Sequence, residues 1–314
     1  MDKFLVTGGA GFIGSNICRK LISDGLFVRV VDNLLTGKES NLAGVLDKIE
    51  FIEADMGDPD VAAKVMDGID VVLHQGALPS VPRSVDDPAA THRHCVNATF
   101  TLLLAARDAK IKRFVYAASS SAYGDTPTLP KVETMPVNPL SPYAAAKLMG
   151  EYYCSVFYKV FGLETISLRY FNVFGPHQDP TSQYAAAIPA FVTAILQDKP
   201  PTVYGDGEQS RDFTYVDNIV EANLLAARVK KAEGEVVNLA CGEAITVNSI
   251  IAMINDITGK KVKPVYAPPR KGDVKHSLAD ITVAKKLLSF KPVISFKDGL
   301  RKAIEWYREN LIKD

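Results

Sequence analysis

The chain has little cysteine and little histidine: four cysteines and five histidines in 314 residues. The cysteines stand far apart without a CxxC pair, and no histidine lies at a metal-ligand spacing from a cysteine or an aspartate. This spacing argues against a disulfide framework and against a zinc site, so we expect no metal. A reducing cytoplasm is the compartment that such a composition fits best.

An excess of charge and long apolar runs are missing as well. Lysine plus arginine and aspartate plus glutamate each total 36, so the formal net charge is zero. A neutral chain gives no electrostatic reason to expect nucleic acid or a membrane surface as the main partner. No apolar run approaches the roughly 20 residues of a membrane-spanning helix, and we expect no signal peptide before the first glycine motif.

Five short apolar runs in the first half are typical of buried β-strands, and helical patterns separate them. The runs are KFLVTG, FVRVVD, IEFIEAD, DVVLHQGA and RFVYAAS. Alternating strands and helices predict an α/β fold with a doubly wound parallel sheet of the Rossmann type. Segments rich in Pro and Gly break this rhythm after about residue 175. We therefore predict a Rossmann domain over residues 1–175 and a smaller substrate lobe, mainly 176–314, with some segments returning to the main domain.

A glycine-rich loop, GGAGFIG, follows the first predicted strand and opens the first helix. Its spacing satisfies both GxGxxG and GxxGxxG, which permits a tight turn and a close approach of the backbone to a pyrophosphate. Asp32 closes the second strand, where a carboxylate accepts hydrogen bonds from the adenosine ribose and repels a 2′-phosphate. Together these signals predict NAD rather than NADP; a structural glycine turn and a turn-capping aspartate are the alternatives.

The stretch SPYAAAKLMGE places Tyr143 and Lys147 four residues apart on one predicted helix, with Ser141 and Pro142 at its start. Side chains at this spacing share a helix face. A free tyrosine has a pKa of about 10, and a nearby lysine together with the positive nicotinamide ring favours the phenolate and lowers that pKa. The pattern indicates a tyrosine base; a surface pair at ordinary helical spacing is the other interpretation.

Four motifs in order along the chain, GGAGFIG, ASSSAYGD, SPYAAAK and LRYFNVFGP, resemble those of the extended short-chain dehydrogenase/reductase superfamily. Within it the chain is most similar to the nucleotide-sugar 4-epimerases. The resemblance implies that Ser119 donates a hydrogen bond to the sugar O4, and that Tyr143 removes the O4 proton while NAD takes a hydride from C4. It also implies that Lys147 binds the nicotinamide ribose and keeps Tyr143 ionised. The 4-keto sugar then turns over, and the hydride returns to its other face.

The same resemblance implies a set of NAD contacts. Asn97 is expected to help hold the backbone near Ser119. The implied cofactor-binding residues are Gly8, Gly11, Phe12, Ile13, Asp32, Asn33, Asp55, Met56, Gln75, Ala77, Asn97, Tyr143, Lys147 and Tyr170.

No acid stands beside Ser119. In the related sugar-nucleotide 4,6-dehydratases, acidic residues occupy the positions of Ser120 and Ser121, and the related decarboxylases carry a glutamate at the position of Ser121. Elimination needs an acid-base pair, so the sequence favours oxidation at C4 and disfavours a lyase. Small residues packed at a strand end are the alternative interpretation of both serines.

The UDP-sugar pocket is also predicted from matching positions. Arg211 and Arg270 match the family's diphosphate ligands. A guanidinium suits this role, since it can bind phosphate oxygens bidentately. An arginine exposed on a solvated loop is the common alternative for each. Tyr204 is expected to stack on the uracil or to pack in the core. The implied substrate contacts are Ser80, Ser121, Tyr143, Asn172, Tyr204, Arg211, Arg270, Asp273 and Ser277.

Ser277 bears on the size of the sugar, because epimerases restricted to non-acetylated hexoses carry a large tyrosine at this position. A serine leaves room for an N-acetyl group, so we expect conversion of UDP-GlcNAc to UDP-GalNAc and also of UDP-glucose to UDP-galactose. Pro79 stands where the family pattern has a glycine before Ser80, so the sequence does not define the shape of the pocket wall at Ser80. A UDP-hexuronate is the first alternative substrate, and Arg83 or the serines of residues 119–121 could bind its carboxylate. A non-catalytic NAD-binding sensor is a further alternative.

The helices predicted around residues 90–108 and 141–160 each carry an apolar face. In the family that the chain resembles, these helices pair across a two-fold axis into a four-helix bundle, which implies a homodimer. A face buried within one chain would give the same pattern.

Overall fold

The computed structural model describes residues 2–180, 186–269 and 275–311. Its strands are β1 (Lys3–Thr7), β2 (Phe27–Asp32), β3 (Glu50–Glu53), β4 (Val71–His74), β5 (Arg113–Ser119), β6 (Thr165–Tyr170), β7 (Val173–Phe174), β8 (Thr202–Tyr204), β9 (Ser210–Asp212), β10 (Thr214–Tyr215), β11 (Glu235–Leu239), β12 (Ala244–Thr246) and β13 (Val265–Ala267). Seven of them form one parallel sheet in the order β11-β6-β5-β4-β1-β2-β3. The predicted α/β class and parallel sheet are confirmed.

Helices cover the two faces of this sheet and build much of the second half of the chain. They are α1 (Phe12–Ser23), α2 (Pro59–Met66), α3 (Val81–Asp86), α4 (Pro88–His92), α5 (Ala98–Asp108), α6 (Pro142–Phe161), α7 (Ala187–Leu196), α8 (Val216–Arg228), α9 (Val247–Thr258), α10 (Thr282–Leu288) and α11 (Phe296–Leu311). A π-helical turn, Arg93–Asn97, joins α4 to α5. Among the described helices, none combines the length and the apolar character that crossing a bilayer requires.

The core lies on both sides of the sheet because alternate strand residues point to opposite faces. In β1, Phe4 and Val6 pack with α1 and α8 on one face, while Leu5 packs with α2, α5 and α6 on the other. Strands such as β4 and β6 are buried at every residue. This explains why they read in the sequence as apolar runs rather than as alternating patterns.

The direction of winding reverses between β1 and β4. From β1 the chain continues to β2 and β3 on one side, then crosses to β4, β5 and β6 on the other. Thr7, at the end of β1, is in register with Val31 of β2 and with His74 of β4. Loops that leave such a point diverge and open a crevice at the carboxyl ends of the strands.

The helix predicted from SPYAAAK is α6, and local signals explain both of its ends. The Ser141 hydroxyl accepts a hydrogen bond from the Ala144 amide at 3.1 Å, and Pro142 occupies the first helical position. Gly162, with φ of +73°, ends the helix in the left-handed conformation.

In its described part, the second half of the chain contains three small strand pairs, β7 with β10, β8 with β13, and β9 with β12. It also supplies β11, which pairs with β6 at the edge of the main sheet. The division of the chain at about residue 175 stays a prediction.

Candidate active site

A cleft of about 1300 Å³ opens at the carboxyl ends of β1 and β4. The structure brings most of the predicted cofactor residues together on its wall. These are Gly8, Gly11, Phe12, Ile13, Asp32, Asn33, Met56, Gln75, Ala77, Tyr143, Lys147 and Tyr170. Residues from several strand ends and helix starts thus face one space, as the reversal of winding requires.

The glycine loop forms the part of the wall at the start of α1. A Cβ atom on Gly8, whose φ is +66°, would stand 2.6 Å from the Gly76 Cα atom, and one on Gly14 would stand 2.2 Å from the Gly8 carbonyl oxygen. Gly11 caps α1 with an extended backbone and no side-chain hydrogen bond to the first amides. These amides therefore stay open at the positive end of the helix dipole, which suits a pyrophosphate.

Asp32 is buried at the end of β2, with both carboxylate oxygens fixed. The Ala10 and Leu34 amides each donate to one oxygen at 2.9 Å. Burial raises the pKa of this carboxyl, and the two backbone hydrogen bonds oppose the rise. Each oxygen keeps a further lone pair, so the carboxylate can accept from ribose hydroxyls as predicted.

Tyr143 and Lys147 lie on the same face of α6 and both line the cleft. The Lys147 side chain is buried, and its Nζ atom lies 4.6 Å from the centroid of the Tyr116 ring. Burial lowers the pKa of Lys147, while the nearby Cys95 thiol and Glu151 carboxylate oppose this change.

The pKa of Tyr143 differs in direction from the sequence-based expectation. Burial raises it above the ordinary value, the Cys95 thiol adds to the rise, and a hydrogen bond with Ser119 lowers it. In the protein chain, burial outweighs the lowering by Ser119, and Lys147 is not among the groups that shift the pKa of Tyr143. The positive nicotinamide ring contributes a favourable charge when NAD is bound.

Ser119 and Ser121 form a pair of hydroxyls at the end of β5. Their Oγ atoms are 2.8 Å apart, and the Ser121 amide donates to the Ser119 oxygen at 3.2 Å. A 3-10 turn over Ser120–Tyr123 creates this arrangement. With Tyr143 bonded to Ser119, the three side chains form one group of hydroxyl donors and acceptors.

Gln75 and Tyr170 are joined by a residue that the sequence analysis missed. The Tyr170 hydroxyl donates to Gln75 Oε1 at 3.1 Å and accepts from Asn223 Nδ2 at 2.8 Å. Gln75 Nε2 in turn donates to Asn223 Oδ1 at 3.1 Å. Asn223 lies on α8, outside any recognisable motif, and only the fold brings it here.

The cleft wall also includes the Pro79 to Arg83 stretch at the start of α3. Ser80 caps this helix by accepting from the Arg83 amide at 3.3 Å, and it does so with φ of +103°. A non-glycine residue there is strained, and surrounding structure must hold it. The strained backbone follows Pro79, the position where the chain departs from the family pattern.

Two predicted cofactor residues lie beside the cleft rather than among its described lining residues. Asp55 is exposed, accepts from the Gly57 amide at 2.8 Å, and stands 3.9 Å from His94 Nδ1. Asn97 is exposed on the π-helical turn.

The predicted substrate contacts of the second half gather around β9. Asn172 Nδ2 donates to the Asp212 carbonyl at 3.0 Å, and the Ser277 amide donates to the Ser210 carbonyl at 3.0 Å. Arg211 donates to the backbone carbonyls of Ser210 and Lys275 at 3.0 and 2.9 Å.

Other predicted substrate contacts lie apart from β9 or outside the described chain. Tyr204, in β8, is 38% exposed, which argues against the core-packing alternative. Arg270 and Asp273 lie outside the described residues.

The residues that line the cleft also include some with no signal in the sequence. Lys38 Nζ pairs with Asp179 Oδ2 at 2.7 Å, joining the loop after β2 to the segment after β7. Trp306 of α11 packs on His177 with ring centroids 5.0 Å apart. Across the described residues, no group of three or more His, Cys, Asp or Glu side chains is placed to hold a metal.

Comparison with known proteins places the chain in a family. Residues 4–240 match the model of the NAD dependent epimerase/dehydratase family. The structure of a UDP-N-acetylglucosamine 4-epimerase from Methanobrevibacter ruminantium M1, in complex with UDP-N-acetylmuramic acid, is 41% identical, covers 99% of both chains and has a TM-score of 0.95. The UDP-glucose 4-epimerase of Thermotoga maritima, with UDP-glucose, is 38% identical over 99% of this chain and 100% of that one, with a TM-score of 0.94.

A third structure contains the cofactor. The UDP-glucuronic acid 4-epimerase of Bacillus cereus, in complex with UDP-glucuronic acid and NAD, is 34% identical over 98% of this chain and 99% of that one, with a TM-score of 0.90. The chain belongs to the NAD-dependent epimerase/dehydratase family, within the short-chain dehydrogenase/reductase superfamily, and NAD is its cofactor.

Proposed function

We propose that this protein is a UDP-sugar 4-epimerase that interconverts UDP-GlcNAc and UDP-GalNAc and also accepts UDP-glucose and UDP-galactose. The observation that carries the proposal is the bonded group of Tyr143, Ser119 and Ser121, of which Tyr143 lines the NAD cleft. It supplies a proton acceptor and hydroxyl donors at one point and contains no carboxyl. This composition suits reversible oxidation of a sugar hydroxyl and lacks the acid that elimination requires.

The proposed mechanism assigns one task to each side chain. Bound NAD supplies the acceptor that takes the hydride from C4 of the sugar and returns it. Ser119 donates a hydrogen bond to the sugar O4, and Tyr143 accepts the O4 proton and later gives it back. Lys147 contributes the positive charge that favours the Tyr143 phenolate, and it lies one helical turn away on the same face.

The pocket argument for an acetylated sugar rests on Ser277. Its amide donates to the Ser210 carbonyl of β9, so Ser277 lies next to the strand that carries Arg211, which is proposed to bind the sugar diphosphate. A serine occupies far less volume than the tyrosine of the restricted enzymes. The similarity to a UDP-N-acetylglucosamine 4-epimerase supports the same interpretation.

Purified protein incubated separately with UDP-GlcNAc, UDP-glucose and UDP-glucuronate tests the proposal. Chromatography and proton NMR should show the C4 epimer of UDP-GlcNAc forming at least as fast as the other products, with no dehydrated sugar. Ser277→Tyr should sharply reduce turnover of the acetylated sugar and spare UDP-glucose. Ser23→Tyr, on the exposed end of α1, is the control. An equal loss on both sugars would show that residue 277 does not set selectivity.

A second candidate substrate is UDP-glucuronate or its N-acetylated form. Arg83 lies on the cleft wall and offers a cation for the carboxylate. The similarity to a UDP-glucuronic acid 4-epimerase supports this alternative. If only UDP-glucuronate reacts in the same assay, the Tyr143 and Lys147 chemistry stands and the Ser277 argument fails.

We further propose a homodimer and a cytoplasmic location. Met149, Tyr152, Val156 and Val160 expose a stripe along α6, and Phe100 of α5 is exposed as well. Two such helix pairs, related by a two-fold axis, would bury these stripes in a four-helix bundle. The four cysteines are free thiols, as expected in a reducing compartment.

A further inference from the structure

A complete ion pair is buried one helical turn beyond Lys147. The Glu151 and Arg169 side chains are 2% and 4% exposed. Arg169 Nε donates to Glu151 Oε1 at 2.9 Å, and Arg169 Nη2 donates to Oε2 at 2.7 Å. Because burying two charges is costly, apolar side chains of similar volume often stabilise a fold as well or better. The pair is therefore poor evidence for a stabilising role, and its position points to a functional one.

The position of Glu151 relates it directly to the catalytic lysine. Tyr143, Lys147 and Glu151 follow one another at intervals of four residues on α6, so they share one helix face. Lys147 Nζ lies over the Tyr116 ring, and within the described residues no carboxylate oxygen lies within 4.0 Å of it. Lys147 thus keeps its hydrogen-bond donors free for the cleft that it lines.

Several titratable groups on four elements face Lys147, and their charges decide how its ammonium is stabilised. They are His74 on β4, Cys95 on the π-helical turn, Tyr116 on β5, and Tyr143, Glu151 and Cys154 on α6. Burial raises the pKa of both thiols and both phenols, so these groups are neutral at pH 7. His74 is neutral as well, because burial lowers its pKa to about 3. Glu151 is the one anion in this described set.

Arg169 explains why that anion persists without contacting the lysine. Burial raises the pKa of Glu151, and the Arg169 hydrogen bonds and charge oppose this rise. The guanidinium is itself held 4.6 Å from the Tyr123 ring, whose hydroxyl donates to Asn238 Oδ1 at 2.7 Å. Both carboxylate oxygens of Glu151 thus accept hydrogen bonds from Arg169 of β6.

We infer that Glu151, fixed by Arg169, is a positioning residue that maintains the positive charge of Lys147 without occupying any of its donors. A carboxylate in direct contact would take a donor from the ribose and offset the field of Lys147 at Tyr143. A carboxylate one turn away supports the ammonium in a low-dielectric site and leaves its donors free. The inference rests on the proposed epimerase function.

Glu151→Gln removes the charge and keeps the size of the side chain, so it is the test variant. Without the anion Lys147 loses its proton at lower pH, and the alkaline limb of the kcat profile should move down on the order of one pH unit. The acid limb, KM for the UDP-sugar and the amount of copurified NAD should stay as in the wild type.

Glu164→Gln is the matched control. Glu164 pairs with Arg113 at the opposite end of β5 and β6, roughly 20 Å along the strands from Ser119. This variant removes the same type of charge from an Arg–Glu pair, in which Glu164 is 33% exposed whereas Glu151 is 2% exposed. The alkaline limb of its kcat profile should coincide with that of the wild type. A shift of equal size in both variants would overturn the inference.

A second readout does not depend on turnover. In protein labelled with 13C-lysine, the Cε signal of Lys147, assigned by its absence in Lys147→Met, should titrate at lower pH in Glu151→Gln than in the wild type. If Glu151→Gln does not fold, Glu151→Gln/Arg169→Met removes both charges and should show a smaller shift in the same direction. An unchanged Lys147 titration refutes the role of Glu151, whereas an inactive wild type refutes the proposed function alone.

Discussion

Ser119, Ser121 and Tyr143 form the smallest unit of the proposed chemistry. Each contributes a hydroxyl, and hydrogen bonds join Tyr143 to Ser119 and Ser119 to Ser121. This is the point at which we propose that a sugar hydroxyl is held and deprotonated. The neighbouring residues carry no acid, which separates this group from one suited to elimination. The distinction rests on two side chains, Ser120 and Ser121, and the amino-acid sequence alone is enough to make it.

Tyr143→Phe should abolish most activity, because it removes the only hydroxyl of the group that is proposed to exchange the O4 proton. General base catalysis is worth about 10²–10⁴-fold, so kcat for epimerisation should fall within that range. NAD should remain bound, since the ring and Lys147 are retained. The measurement is initial rate by coupled assay, together with NAD released on denaturation. Tyr158→Phe, which loses surface hydrogen bonds with Glu233 and Lys231, is the control. Full activity in Tyr143→Phe would refute the proposed base.

At the scale of elements, two faces of α6 differ in their surroundings. One face presents Tyr143 and Lys147 to the cleft, and another exposes Tyr152, Val156 and Val160, which are 57%, 46% and 65% exposed. Apolar side chains exposed to water do not stabilise a monomer, and exposed apolar stripes of this kind mark interaction sites.

Val156→Asp should convert the proposed dimer to a monomer, because it would place two charges at the centre of the two-fold bundle without partners. Light scattering after size-exclusion chromatography should then report about 34 kDa in place of twice that mass. Val293→Asp changes a valine of similar exposure outside the stripe and should leave the mass unchanged. A monomeric wild type, or a dimeric Val156→Asp protein, would contradict the bundle.

Elements differ in how well the sequence predicts them. The first five strands and α6 are predicted because each has a local cause, either a continuous apolar run or an N-cap serine followed by proline. The pairs β7/β10 and β9/β12 have two or three residues per strand and depend on partners more than 30 positions away. The π-helical turn before α5 has no composition that marks it.

At the scale of the whole molecule, the site depends on contacts that local patterns do not encode. The glycine loop, Asp32, Tyr143 and Lys147 were predictable because motif spacing alone defines them. Asn223 reaches Tyr170 across 53 positions, and a C-terminal helix provides Trp306. Such residues become part of the site only because the sheet and its helices bring them there. No spacing rule links them.

One buried chain of hydrogen bonds ties the centre of the molecule together and makes its stability depend on pH. His74 Nδ1 lies 2.7 Å from Thr7 Oγ1, and His74 Nε2 lies 2.9 Å from Thr99 Oγ1. The Gly76 amide donates to Thr7, and Thr99 donates to the Cys95 carbonyl. Thr99 therefore accepts from His74 Nε2–H, and in the neutral imidazole Nδ1 accepts from the Thr7 hydroxyl.

Burial lowers the pKa of His74 from 6.5 to about 3. Below about pH 6.5 the unfolded chain consequently binds a proton at His74 that the folded chain does not bind. The contribution of neutral His74 to the free energy of unfolding is therefore fully present above pH 6.5 and is lost as the pH falls toward 3. Asp212, whose pKa burial raises to about 6, titrates in the opposite sense, so total stability does not isolate the histidine. The difference in the free energy of unfolding between the wild type and a His74 variant isolates the contribution of the histidine.

His74→Gln can keep both bonds of the chain and cannot titrate. The stability of the wild type relative to this variant should fall by about 2 kcal/mol between pH 7 and pH 5. Urea unfolding at pH 7, 6 and 5 measures both proteins under the same conditions, and His92→Gln controls for the loss of an exposed histidine. A difference that stays constant over this range would mean that His74 takes up its proton in the folded protein, contrary to the hydrogen-bond chain through Thr7 and Thr99.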